Sequence, residues 1–393
     1  MKRKSVLSFL PSVRAHAKPH PTGWGFLMLG GGTNRADRGL PLRHHPLWFT
    51  AVLTGLTCLL LLSATLAVML GPVSIQPAVV WNIALSHVPI FGDLIEQDWS
   101  KPQEQIIWEI RLPRVLLGAV VGAGLAVVGT AIQALVRNPL AEPYILGISS
   151  GSSVAATLVI LFGAFSFLGT YALTLGAFAG AMVAMLAVYL LAQVAGSIQT
   201  TRLLLAGVSI SMILSAATNF IVTAAPNEHG IRDALFWMLG SLAGAKWEYL
   251  MIPYVVVTGG MVFLLLQYRL LNALLMGEEA AATLGVNTHA FRKWLIVLLS
   301  LLIGVVVAVS GSIGFVGLIV PHIARFVVGS DHRRVLPVSA LLGAVILIWA
   351  DVLARLLLAP GELPIGVVTA LAGGPFFIWL LRRSSYSFGG ENR

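Results

Sequence analysis

Hydrophobic residues come in near-continuous runs of about twenty along this chain, divided by short polar stretches. At ~1.5 Å per residue, each run spans a ~30 Å hydrocarbon layer as a helix. The runs predict ten helices, at roughly 47–70, 113–135, 144–163, 171–194, 203–224, 250–269, 293–311, 314–328, 337–358 and 365–381. The third and eighth are short or rich in Ser and Gly, so their ends are loosely defined. Segments of ~10 residues with alternating polarity, the mark of a β-barrel, are not seen. The pattern is that of an all-α polytopic membrane protein. Residues 47–383 form a ten-helix domain between a basic, flexible tail over 1–46 and a short C-terminal tail over 384–393.

Composition sharpens this. Only 10% of residues are charged and mean hydropathy is +0.88, against about 25% charged in a soluble domain. The single cysteine, Cys58, lies inside the first run and excludes an intramolecular disulfide or cysteine cluster. The net charge of +9 is spread between apolar runs, a pattern that sets membrane topology and gives no reason to expect nucleic acid. An even number of spans puts both termini on one side. With that side inside, nineteen Lys and Arg fall inside and six outside, so both termini are expected in the cytoplasm.

One interruption is abrupt. "RNPLAEP", Arg137 to Pro143, sets two charges and two prolines between apolar runs. Asn138 before Pro139 is pushed out of helical conformation, so the second helix is expected to end there, at the cytoplasmic interface. Gly122, Gly129, Pro139 and Gly147 recur as Gly304, Gly311, Pro321 and Gly329, each 182 residues later. The first set runs out-to-in and the second in-to-out, as in an inverted internal repeat with broken helices. Coincidence stays open beside this reading, since the chain has forty glycines.

The chemistry that is missing narrows the function. There is no GxxxxGK[ST] phosphate loop, no GxSxG elbow and no HExxH pair, so no catalytic role is expected. Asp351 is the best intramembrane acid, but Arg355 lies one turn later on the same face. It supports either a local ion pair or the proton site of an ion-coupled secondary carrier. "LLMGEEAAATLGVN", Leu274 to Asn287, puts acids and alanines between two glycines. It reads as a short helix on the cytoplasmic face, either an ordinary surface helix or one that inserts into a partner.

The ordered series "RLPR", "GTAIQALVRNPLAEPYILG", "TTRLLLAGVSIS", "FWMLGSLAG", "GEEAAATLGV", "GFVGLIVPHIAR" and "ELPIGVVTALAGGPFFIWLL" resembles the FecCD-type permeases. These are the membrane subunits of ABC importers for cobalamin, ferric siderophores and haem. The resemblance implies a cobalamin-permease-like type II importer fold. It also implies a homodimer in membrane lipid, with two ATPase subunits below and a periplasmic binding protein above. ATP and Mg would sit on the ATPase, and this chain would bind no cofactor or metal. Asn138, Leu140, Thr200 and Thr201 match cytoplasmic gates. Gly277, Glu278, Glu279, Ala280, Ala281, Leu284 and Gly285 match the loop that docks on the ATPase. Arg111, Arg114 and Arg355 match arginines that receive acids of the binding protein, and the fifth helices line the path. The expected cargo is an iron chelate, haem before ferric siderophore, with cobalamin as the alternative. The ion-coupled carrier and a non-transporting membrane receptor remain the rival classes.

Overall fold

The computed structural model describes residues 46–71, 75–88, 95–194, 197–226, 228–277, 283 and 287–383. The expected tails fall outside these residues, apart from Pro46. So do Glu278, Glu279, Ala280, Ala281, Leu284 and Gly285 of the expected ATPase loop.

All ten apolar runs are helices. We number the principal helices α1 (Pro46–Met69), α2 (Pro77–Ser86), α3 (Lys101–Val136), α4 (Ile148–Phe162), α5 (Ala172–Ala192), α6 (Thr200–Thr223) and α7 (Glu228–Met238). They continue as α8 (Met251–Leu266), α9 (Tyr268–Leu275), α10 (Thr288–Ser310), α11 (Val316–Val328), α12 (His332–Leu356) and α13 (Ile365–Arg383). Seven spans among the described residues are long and apolar enough to cross a membrane. The shorter apolar helices include α4, α11 and most of α13. A two-residue ladder pairs Gln193–Val194 with Ser197–Ile198 between α5 and α6.

Several boundaries depart from the sequence pattern. α3 begins at Lys101, twelve residues before the expected start at 113, and includes a π-helical stretch, Gln105–Arg111. Pro102 does not stop it because it lies in the first turn, where the missing N–H has no partner to lose. Pro113 follows the π-helical stretch, and the Trp108 carbonyl five residues earlier, which it cannot serve, accepts the Trp247 Nε1–H at 2.7 Å instead. The expected sixth helix divides at Gln267, whose φ and ψ of −97° and 13° leave the helical basin between α8 and α9. α2 and α7 lie between the expected helices, and α9 runs past the expected end at 269; they have only 10, 11 and 8 residues, too few to register as apolar spans.

α3 is the central helix, and every residue from Gly124 to Val136 is buried. It crosses α12 where Gly122 and Gly343 face each other. A Cβ on either glycine would collide with the other's carbonyl oxygen, so the backbones meet directly, as small residues allow within a membrane.

The proline echo does not mark equivalent positions. Pro139 lies in the turn after α3, whereas Pro321 sits inside α11 without breaking it. Pro321 has no N–H for the carbonyl of Gly317, four residues earlier. That carbonyl instead faces α3 at Gly129, where the missing side chain leaves room for it. The resemblance between the halves is architectural: α3 with α4 and α10 with α11 each join a long helix to a short one through a non-helical loop.

Candidate functional site: two loops, a gate and an ionic clamp

α3 ends as "RNPL" dictates. Arg137 adopts the left-handed conformation at φ 55°. Its N–H reaches Ala134 O at 3.3 Å and the Asn138 N–H reaches Gln133 O at 3.2 Å, the paired bonds of a Schellman cap. The Asn138 Oδ1 then accepts the Leu140 N–H at 2.9 Å, closing a side-chain turn around Pro139, which has no N–H to give. Asn138 and Leu140 are half-buried.

The chain turns back through a single 3-10 turn, Pro143–Leu146, and meets the loop that follows α10. The Glu142 Oε1 accepts the Phe315 N–H at 2.9 Å. The Tyr144 hydroxyl accepts the Ile313 N–H at 2.9 Å and donates to the Ile313 carbonyl at 3.1 Å. Ser149 and Ser312 join through their hydroxyls. One loop follows the near end of its helix and the other the far end of a helix running oppositely, so both must dip into the bundle. Glu142 is used there as an acceptor at the N-terminus of α11, where a carboxylate is favoured.

The gate candidates converge through a residue that the sequence pattern did not single out. Arg292, 6% exposed on α10, donates to the Thr200 hydroxyl on α6 and, at 3.3 Å, to the Leu135 carbonyl on α3. Thr200 is thereby tied to the chain three residues before Asn138, while Thr201 beside it is exposed. A second arginine, Arg325 on α11, donates to the Gln133 Oε1 at 2.5 Å. In sequence both arginines read as ordinary interface anchors at the ends of apolar runs.

Gly277, the described member of the expected ATPase loop, has a φ of 105° and lies against the gate turn. A Cβ there would come 3.7 Å from the Arg137 Nη1. α9, which leads into this loop, is latched to α12 by Asn272. Its amide donates to the Asp331 Oδ1 at 2.8 Å, and its carbonyl oxygen accepts the His332 N–H at 3.0 Å. His332 is buried in the first turn of α12, not in a loop as its flanking polar residues suggest.

At the other end, the three expected docking arginines are 5–7% exposed. Arg114 donates through Nε to both Asp351 oxygens, at 2.9 and 3.1 Å, and through its two terminal nitrogens to Glu362 at 3.0 and 2.9 Å. The Arg355 Nε lies 3.1 Å from the Asp351 Oδ2 with its N–H directed off that line. The same residue's terminal nitrogens donate to the carbonyls of Ala67 and Leu70 at 3.1 and 3.2 Å. Arg111 Nη1 takes Val68 O and Met69 O at 2.9 and 3.1 Å. Together Arg111 and Arg355 satisfy the last carbonyls of α1, which have no helical partners of their own. The trio therefore clamps α1, α3 and α12 together. Asp351, shared by two guanidinium groups, is their counter-ion.

α6 differs from α3 in having only Leu203, Gly207 and Thr218 buried. Ser209, Ser215 and Asn219 are exposed on it beside Leu205, Met212 and Phe220. A groove of about 450 Å³ follows this helix from Ile145 to Asn219. Gly207 brings α6 onto the Ile145 carbonyl, so the groove starts at the re-entrant turn.

A model of the FecCD transport family matches residues 59–383. The chain belongs to that family. It is 43% identical over 291 residues to the hemin transport system permease protein HmuU of Yersinia pestis, which covers 72% of this chain and 86% of the relative. It is 42% identical over 286 residues to the vitamin B12 import system permease protein BtuC of Vibrio cholerae, covering 73% and 85%. A solved structure, described as an inward-facing conformation of a metal-chelate type ABC transporter, superposes with a TM-score of 0.71 at 33% identity. That match covers 86% of this chain and all of the other. This FecCD chain is thus an ABC importer permease, and the motifs that carried the resemblance, apart from most of "GEEAAATLGV", lie on the elements just described. Membership in this family leaves Asp351 as a structural counter-ion and removes the ion-coupled carrier as a rival.

Proposed function

We propose that the chain forms half of a homodimeric permease that moves a bulky iron chelate from periplasm to cytoplasm, haem first and ferric siderophore next. Two ATPase subunits carrying ATP and Mg would dock at the loop that begins at Gly277. A periplasmic binding protein would deliver cargo at the opposite end, with the complex in a bacterial inner membrane and both termini in the cytoplasm. The observation that carries this reading is α6, a long apolar helix with only Leu203, Gly207 and Thr218 buried and with Ser209, Ser215 and Asn219 set among its exposed apolar residues. Exposed Ser209, Ser215 and Asn219 would be costly against lipid, and they suit a water-filled path between two copies of this helix.

In this mechanism ATP closure pushes the docking loop against Arg137 and moves the gate turn built on Asn138 and Leu140. Arg292 carries Thr200 and Thr201 with it. The turn's far side is tied to loop 311–315, so opening at one end is linked to closure at the other. The binding-protein face rests on the arginine clamp from beneath: Arg114 holds Glu362, whose side chain is 34% exposed, at the surface. Direct docking by the arginines does not fit their burial.

The HmuU and BtuC relatives match almost equally, so cobalamin is the competing cargo. The test is ATP-driven uptake of radiolabelled haem, ferric siderophore and cobalamin into proteoliposomes holding the assembled complex. Haem uptake with cobalamin excluded is expected. Cobalamin uptake alone would overturn the cargo, and ATP-independent flux would overturn the mechanism. Leu140→Ala should raise passive leak of cargo; an unchanged, tight closure would remove Leu140 from the gate.

A further inference from the structure

At the end where α5 and α8 begin, two cavities adjoin and share Thr174, Tyr249, Ala308 and Val309. One, of about 220 Å³, is a furrow between α5 and α8 floored by α10. Its walls are apolar, including Leu175, Phe178, Ile252 and Val305. Leu175 and Ile252 are 44% and 57% exposed, so the furrow opens sideways to where lipid lies. The other cavity, of about 510 Å³, is lined by Asp233, Trp237, Ser241 and Lys246 among others. Tyr249 stands between them. It is fixed by a hydroxyl bond to the Thr170 carbonyl at 3.1 Å and by an edge-on contact with Tyr171 at 5.8 Å. Tyrosines in such a belt favour the level of lipid headgroups.

We propose that the joined cavities bind one zwitterionic phospholipid with a primary-amine headgroup, from the leaflet facing the binding protein. One acyl chain lies in the furrow. The headgroup phosphate meets Lys246 and its ammonium meets Asp233, both of which line the larger cavity. Glu248 is exposed at the rim of the furrow, so the mouth of the joined cavities carries two carboxylates against one amine. That balance repels a headgroup of net negative charge and matches one that carries both signs. No residue of α6 lines either cavity, which separates the site from the cargo groove. Ala308 and Val309 stand just before loop 311–315, so the bound lipid braces α10 beside the junction with Glu142 and Tyr144. The leaflet assignment rests on the orientation proposed above; the site itself does not.

The test is native mass spectrometry of the purified full chain, titrated with palmitoyl-oleoyl phosphatidylethanolamine or the matching phosphatidylglycerol. One tightly retained phosphatidylethanolamine per chain is expected, favoured over phosphatidylglycerol by about tenfold, the scale of one charge-assisted contact. The exposed pair Asp233→Asn with Glu248→Gln should erase that preference, and Lys246→Ala should lower retention of both lipids. Thr174→Trp, which fills the furrow, should abolish retention while elution stays that of the folded chain. Because the charge variants lie on the surface, they keep the test decisive if Thr174→Trp does not fold. Equal retention of the two lipids, or retention unmoved by the charge changes, would overturn the proposal. So would unchanged retention with a raised KM for cargo, since the cavity would then belong to the transport path.

Discussion

Tyr144→Phe isolates the junction between the two re-entrant loops. The ring and its packing remain, and a single hydroxyl is lost. That hydroxyl accepts the Ile313 N–H at 2.9 Å and donates to the Ile313 carbonyl at 3.1 Å. Ile313 is 1% exposed, so water does not replace either bond. A buried polar group left without its partner costs about 1–3 kcal/mol, and two such groups cost about 2–6 kcal/mol together. If the amide exchanges through local opening, that loss speeds exchange at Ile313 by roughly 30-fold to 20,000-fold. Hydrogen–deuterium exchange on the chain in nanodiscs reads this directly. Tyr254→Phe is the control, because its hydroxyl bonds the Leu116 carbonyl at 3.0 Å in another part of the bundle and should leave Ile313 unchanged. Exchange at Ile313 within about threefold of wild type in Tyr144→Phe would refute the junction as an energetic contact.

Three other outcomes follow from the same geometry. Gly122→Val puts a branched side chain into the Gly343 carbonyl and should abolish folded yield on size exclusion, whereas Gly55→Ala, with open space around it, should be silent. Arg292→Met separates Thr200 from Leu135 and should raise passive cargo leak in proteoliposomes with little change in thermal stability; a tight vesicle would show that Thr200 holds its position alone. Arg111→Met and Arg355→Met should be non-additive in thermal unfolding, with a coupling of about 0.5–3 kcal/mol through the shared end of α1, and additive losses would show two independent contacts.

The apolar runs made the ten expected helices legible, seven of them long enough to span, because span length follows directly from membrane thickness. What the runs hid has a common cause. α2, α7 and α9 are short elements whose placement depends on neighbours, and α3 passes through Pro113 because Trp247, far along the chain, supplies the Trp108 carbonyl with a donor. The gate candidates stood out in sequence through the motif around Asn138 and through Thr200. Arg292 did not, since a basic residue at the head of an apolar run looks like an anchor whether it faces headgroups or a neighbouring hydroxyl. The three arginines taken for docking residues show the converse. Sequence gives the charge and the side of the membrane, but burial is set by α1 and α12, which lie far from Arg111 and Arg114 along the chain.

The clamp on α1 also bears on how the protein is made. Arg355 bonds the Leu70 carbonyl across 285 residues of chain. At about 5–20 residues per second, roughly 15–60 s of translation separate the two. During that interval α1 has already entered the membrane with its final carbonyls uncapped by Arg355. Insertion and assembly of this permease are thus separate events, and the last long helices to leave the ribosome fasten the first.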